Sequence, residues 1–165
     1  MEETAHIIKV ETSRRGTAQE KEADSYVAID LETTGLDPKH DKIIEIGAVL
    51  VIDGEIKETF STFVNPRREL DGRIRELTGI TGEMTAGAPD IGDVIGRVVE
   101  FCRDLPLLGH HIIFDYSFLK RAAVNKGLVF EKSGIDTLTL CRRFMPEEEK
   151  KNLENASRYY GIKQT

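Results

Sequence analysis

Asp30-Leu31-Glu32-Thr33-Thr34-Gly35 is the segment of this sequence best equipped for chemistry. Val27, Ile29 and Leu31 alternate there with Ala28, Asp30 and Glu32, the period of a β-strand. Residues two apart on a strand share a face, about 6.5–7 Å apart along the backbone. Asp30 and Glu32 therefore project together while the apolar residues turn into packing. Two acids on a half-buried strand repel each other and lose hydration. A divalent cation relieves both costs, and two metals about 3.5–4 Å apart could share such a pair. Thr33-Thr34-Gly35-Leu36 then supplies a turn whose backbone could approach a nucleotide closely. Taken alone the pattern is weak, because a strand end that shows two acids to water has the same spelling.

A second segment strengthens it. Leu107-Leu108-Gly109-His110-His111-Ile112-Ile113-Phe114-Asp115 reads as a strand, a polar turn and the first turn of a helix. Phe114 and Phe118 anchor that helix, and Asp115 sits near its start. An acid at that position also suits the helix dipole, so a capping role competes with a functional one. His110 and His111 precede it as orienting groups for backbone or substrate, as ordinary turn residues, or as a general base.

The elements that must position these residues form an α/β pattern with a mixed sheet. Residues 1–24 are polar and charged and read as a tail or linker, with a short strand at His6–Val10; the domain covers residues 25–165. A strand starts at Tyr26 and breaks at Asp37-Pro38. The apolar run Ile43–Ile52, then Asp53-Gly54, then Ile56–Val64 is a hairpin signal. A helix over Leu70–Leu77 stops at Thr78-Gly79. Ile91, Val94, Ile95, Val98, Cys102 and Leu105 trace one helical face. Leu107-Leu108 is a short buried strand, and the helix after it closes at Gly127. Asp136 caps a helix that runs to Phe144. Leu153, Ala156 and Tyr160 mark the apolar face of a last helix ended by Gly161.

Composition excludes several classes. At 165 residues and 39% hydrophobic the chain suits one folded domain. It has no apolar stretch of the roughly 18 residues that a membrane helix needs. Its N-terminal residues show no apolar run that could serve as a secretory signal, so none is expected. Cys102 and Cys141 sit in helical apolar patterns, as small buried hydrophobes of a reducing cytoplasm. A net charge of −6 disfavours a binder with a broad basic face. It disfavours less an enzyme whose carboxylates gather cations, which invert the local field. Short basic pairs such as Arg67-Arg68 and Arg142-Arg143 mostly read as ordinary solvated surface, and one or two of them could grip phosphates.

From Tyr26 to Thr165 the sequence resembles the DEDD-type proofreading 3′→5′ exonuclease domains of bacterial DNA polymerase III. It is nearer the alpha-chain type of Gram-positive bacteria than the separate epsilon subunit. The matching segments are Ala28–Leu36, Ile43–Val49, Phe63–Pro66, Glu76–Thr81, Gly109–Asp115 and Ile135–Leu138, in that order. The resemblance implies an RNase H-like mixed sheet flanked by helices, with metal-binding carboxylates and a general-base histidine. It implies hydrolysis of the 3′-terminal phosphodiester of DNA to nucleoside monophosphates, with Mg²⁺ or Mn²⁺ and a replicative polymerase as partner. Asp30 and Glu32 match the first motif, which holds both metals, and Asp115 the second. Thr33, Thr34, Gly35, Leu36, Thr78, His110 and His111 match positions near the substrate.

Two departures qualify the match. The family's third motif, a histidine followed five residues later by an aspartate, falls after the segment matching Tyr159–Ile162, and this sequence ends at Thr165. His111 stands where the family commonly has asparagine. The chain is therefore expected to bind cations weakly through its three carboxylates and to leave apolar surface open to self-association. A non-cleaving nucleic-acid- or polymerase-binding domain, or an RNA-trimming relative, is the alternative.

Overall fold

A computed structural model describes residues 24–162. The expected strand at His6–Val10 lies outside the described residues.

The central strand β1 (Tyr26–Thr33) buries Val27, Ile29 and Leu31, as the alternation predicts. It pairs antiparallel with β2 (Ile43–Ile52), which pairs antiparallel with β3 (Glu55–Phe63). The β2–β3 turn has Asp53 at φ 52° and Gly54 at φ 75°. Two consecutive left-handed residues match the twist of the flanking strands, which is why Asp-Gly serves here. On its other edge β1 runs parallel to β4 (Leu107–Gly109), and β4 to β5 (Gly134–Asp136). The sheet order is β3-β2-β1-β4-β5.

Parallel neighbours need crossovers. Between β3 and β4 lie α1 (Gly72–Thr78), α2 (Gly82–Ala86) and α3 (Ile91–Cys102); between β4 and β5 lies α4 (Ile112–Asn125). Val94, Ile95 and Val98 of α3 and Phe118, Leu119 and Ala123 of α4 bury the face of the sheet carrying Val27, Ile29 and Leu31. Each of these side chains except the small Ala123 contributes about 1.5–3 kcal/mol when fully buried. The first helix begins two residues later than its apolar pattern suggests. Asp71 takes the N-cap, its carboxylate accepting from Ile74 N at 2.9 Å, and Leu70 is left to pack with Ile44 and Ile80.

After β5 come α5 (Thr137–Phe144) and α6 (Leu153–Tyr159), which share a small cluster of Cys141, Met145 and Ala156. Leu153 and Tyr160 were expected on the inward face of the last helix; both are exposed, Leu153 by 52%, and Asn155, Ala156 and Ser157 are buried instead. Small residues bring α6 close to α5, and the larger ones rim an open apolar groove of about 500 Å³ with Leu140 and Phe144. Neither β5 nor α2 is legible in the sequence. Both are too short to carry a period. Among the described residues no helix is long and apolar enough to cross a membrane.

Candidate active site

Asp30 and Glu32 leave β1 on the face opposite the main core. Their antiparallel partners are Gly47 and Glu45. Residues directly opposite share a face, so Gly47 places no side chain beside Asp30, and Glu45 places a like charge beside Glu32. Burial raises the Glu32 pKa, and repulsion from Asp30 and Glu45 raises it further. Burial also raises Asp30, against the opposing hydrogen bond of the Leu31 amide. Glu45 has no basic partner among the described residues.

Asp115 reaches this pair from α4. It lies in the helix's first turn but is not its cap: the N-cap is His111, and Asp115 Oδ1 instead accepts from Leu31 N of β1 at 3.0 Å. The side chain is 4% exposed. Burial pushes its pKa up to about 7; the charges of Asp30 and, less, Glu32 add to this, while the Leu31 amide opposes it. No lysine, arginine or histidine pairs with any of these three acids among the described residues. The donor set, oxygen-only and repelling, fits a hard divalent cation in chemistry. It is not a closed cage: among the described residues no three acidic, histidine or cysteine side chains stand ready around one ion. Water would complete any shell.

The turn after β1 is held by a network the sequence does not announce. Asp41 Oδ2 accepts from Asp37 N at 3.0 Å, and Oδ1 accepts from Thr34 Oγ1 at 3.3 Å and Arg68 Nη2 at 2.9 Å. The same guanidinium donates to Thr34 Oγ1 and, through Nη1, to the His40 carbonyl at 3.2 Å. The Asp37 amide and, after it, Arg68 and Thr34 hold the Asp41 carboxyl below its ordinary pKa. Thr33 Oγ1 donates to Gly35 O at 2.7 Å. A Cβ on Gly35 would sit 2.3 Å from Asp41 Oδ2. Gly35→Ala is therefore expected to break this network and cost about 1–3 kcal/mol, read as a lower urea midpoint with an unchanged slope. Leu36, next in line, is 84% exposed.

His110 and Thr78 spend their polar side-chain atoms inside the protein. His110 Nε2 donates to Lys151 O at 2.6 Å, and its Nδ1 lies 3.0 Å from Thr137 Oγ1. A carbonyl only accepts, so the proton belongs on Nε2. Thr78 Oγ1 donates to Ile74 O at 2.8 Å and accepts from Ile80 N at 3.1 Å, ending α1. His111 is exposed and left-handed, with φ 69° and ψ 46°. Asp136 Oδ1 accepts from Leu138 N, as the cap predicted for α5, and also from His111 N.

A mixed sheet whose central strand presents two acids, met by a third from a crossover helix, is an RNase H-like frame. The exonuclease family model matches residues 27–165. DNA polymerase III PolC-type of Clostridium perfringens is 41% identical over 139 residues, 84% of this chain and 10% of that protein. The Bacillus subtilis protein of the same name is 43% identical over 147 residues, again 10% of its length. The chain thus spans about a tenth of the curated relatives it matches. Among solved structures, exonuclease X in complex with 5′ overhanging duplex DNA superposes at TM-score 0.65 and 28% identity, covering 84% of this chain and 75% of that one. Product-bound exonuclease I reaches 0.73 at 16% identity, covering 86% of this chain and 39% of that one, a likeness of fold. The chain belongs to the exonuclease family, whose members are generally dependent on divalent metals.

Proposed function

We propose that this domain removes nucleotides from DNA 3′ ends, releasing nucleoside monophosphates, in the service of proofreading by a replicative polymerase. What supports the reading is that Asp115 is held on the amide of Leu31, the residue between Asp30 and Glu32, with the pKa values of all three acids raised and no cationic side chain among the described residues to offset them. Asp30, Glu32 and Asp115 would hold Mg²⁺ or Mn²⁺, which suit oxygen ligands and water-completed shells. A bound divalent cation supplies the charge that acidifies water and offsets the departing oxygen.

The chain's own residues do the positioning. Thr33, Thr34 and Gly35, fixed by Asp41 and Arg68, hold the turn against the terminal nucleotide. Leu36 offers its apolar side chain to the terminal base. Leu36→Ala is expected to raise KM for an oligonucleotide about tenfold, the value of burying such a side chain, with kcat little changed. His111 is free to meet the strand, whereas His110 and Thr78 act through the turns they fix. The relatives' polymerase names and the DNA in the exonuclease X complex support DNA as substrate and a polymerase context. The reading also places the domain in the cytoplasm, in keeping with two free buried cysteines. Self-association would use the apolar α5–α6 groove, and sedimentation against concentration tests it.

The deciding experiment incubates a 5′-labelled single-stranded oligonucleotide with the protein and Mn²⁺, beside Asp30→Ala. A ladder shortening from the 3′ end, absent in Asp30→Ala, supports the exonuclease. Oligonucleotide binding without any ladder supports a non-cleaving domain instead. Equal cleavage of an RNA of the same sequence would shift the substrate assignment.

A further inference from the structure

We propose that Asp136 is a positioning residue for the carboxylate site, bracing α4 and thereby Asp115 through the His111 backbone amide. The proposal rests on reading Asp30, Glu32 and Asp115 as the cation-binding set.

Asp136 closes β5 and is 5% exposed. An ordinary N-cap serves one helix. Here a single oxygen serves two: Oδ1 accepts from Leu138 N at 2.9 Å, capping α5, and from His111 N at 2.9 Å, across 25 residues of sequence. A carboxylate oxygen has the two lone pairs this requires. α4 has no side-chain cap of its own, and its N-cap His111 is held left-handed. That conformation costs a non-glycine residue about 1–2 kcal/mol, so it persists because surrounding bonds fix it. His110, one residue earlier, is tied to Thr137 and Lys151 at the same junction.

Four residues after His111, one helical turn of about 6 Å, Asp115 accepts from Leu31 N between Asp30 and Glu32 in sequence. The start of α4 is thus pinned at both ends of its first turn, by β5 through Asp136 and by β1 through Asp115. Freeing the first pin lets the turn drift, and the carboxylate is carried with it. Groups that orient metal ligands in this indirect way typically change metal affinity or activity by about 10–100-fold when removed.

Serine separates this role from simple capping. Asp136→Ser keeps a hydroxyl able to cap α5 but is one bond shorter and gives up the reach to His111 N. Asp136→Thr gives the same reading should the serine variant fail to fold. Mn²⁺ affinity, followed by the magnetic resonance signal of free Mn²⁺, and kcat and KM on a single-stranded oligonucleotide are measured beside melting temperature. The expected result for Asp136→Ser is Mn²⁺ binding about 10-fold weaker and kcat lower by about 10–100-fold, with KM unchanged. Asp136→Asn, whose amide oxygen still accepts, recovers most of both. Asn152→Ala, which removes the α6 cap, lowers melting temperature and leaves Mn²⁺ affinity intact. Wild-type Mn²⁺ affinity and kcat in Asp136→Ser, with both lost in Asp115→Ala, would overturn the bracing role alone. If Asp115→Ala also changes neither, the carboxylate reading fails and takes this proposal with it.

Discussion

Asp30→Asn is expected to lower cleavage on the order of 10³-fold or more while making the metal-free protein harder to melt. The first effect follows from position: Asp30 shares a strand face with Glu32 and is electrostatically coupled to both other acids. Losing a ligand that supports charge in the transition state costs several kcal/mol, and each 1.36 kcal/mol is about tenfold in rate. The second effect has the opposite sign because the site is assembled against its own repulsion. Burial raises Asp30, and the Asp30 charge in turn raises Glu32 and Asp115. Asparagine removes that charge without leaving a cavity, beside a glycine that crowds it little. A rise of about 2–5 °C in EDTA is the size expected of such relief in a domain of this length. Melting in EDTA and a gel assay with Mn²⁺ read the two effects on one preparation. A variant that melts lower and cleaves normally would mean that Asp30 is an ordinary surface acid.

The strand that carries the site was legible because its information is local. Val27, Ile29 and Leu31 alternate with Asp30 and Glu32, and burial respects that alternation. Asp53-Gly54 specified its hairpin for the same reason: both residues tolerate the left-handed backbone that the turn adopts. What stayed hidden depends on partners far away in sequence. Asp115 could be placed at a helix start, yet its acceptor role toward Leu31 spans 84 residues, so a cap and a site residue looked alike. The Arg68–Asp41 pair spans 27 residues, and the tight fit of Gly35 against Asp41 exists only once that loop closes. α6 illustrates the limit of periodicity. An apolar face states what could be buried, and Leu153 and Tyr160 remain exposed because among the described residues nothing lies over them. β5 has three residues, one of them apolar, and is recognisable only beside β4.

Asp115 should make the metal-free protein less stable as pH rises from about 4 to about 7, and should make its cation affinity rise over the same range. Its carboxyl is raised from 3.8 to about 7 in the folded protein, by burial first and then by Asp30 and Glu32. Between those values the folded state holds a proton that the unfolded chain has released. Stability therefore falls as pH rises: this contribution is fully present below about 4 and gone once pH passes about 7. A cation requires the deprotonated form, so binding competes with that proton. Mn²⁺ affinity should climb by up to about tenfold per pH unit below 7 and level off above it. The increase in melting temperature on adding Mn²⁺ should accordingly be larger at pH 8 than at pH 5.5. Asp115→Asn isolates the effect, because the other carboxylates titrate in both proteins. Its melting temperature in EDTA should lack the fall that the parent displays approaching pH 7, and any residual Mn²⁺ binding should lose its pH dependence there. Parallel curves for the two proteins across pH 5–8 would mean that Asp115 is charged throughout, and that the buried acid is sustained by the Leu31 amide alone without help from a cation.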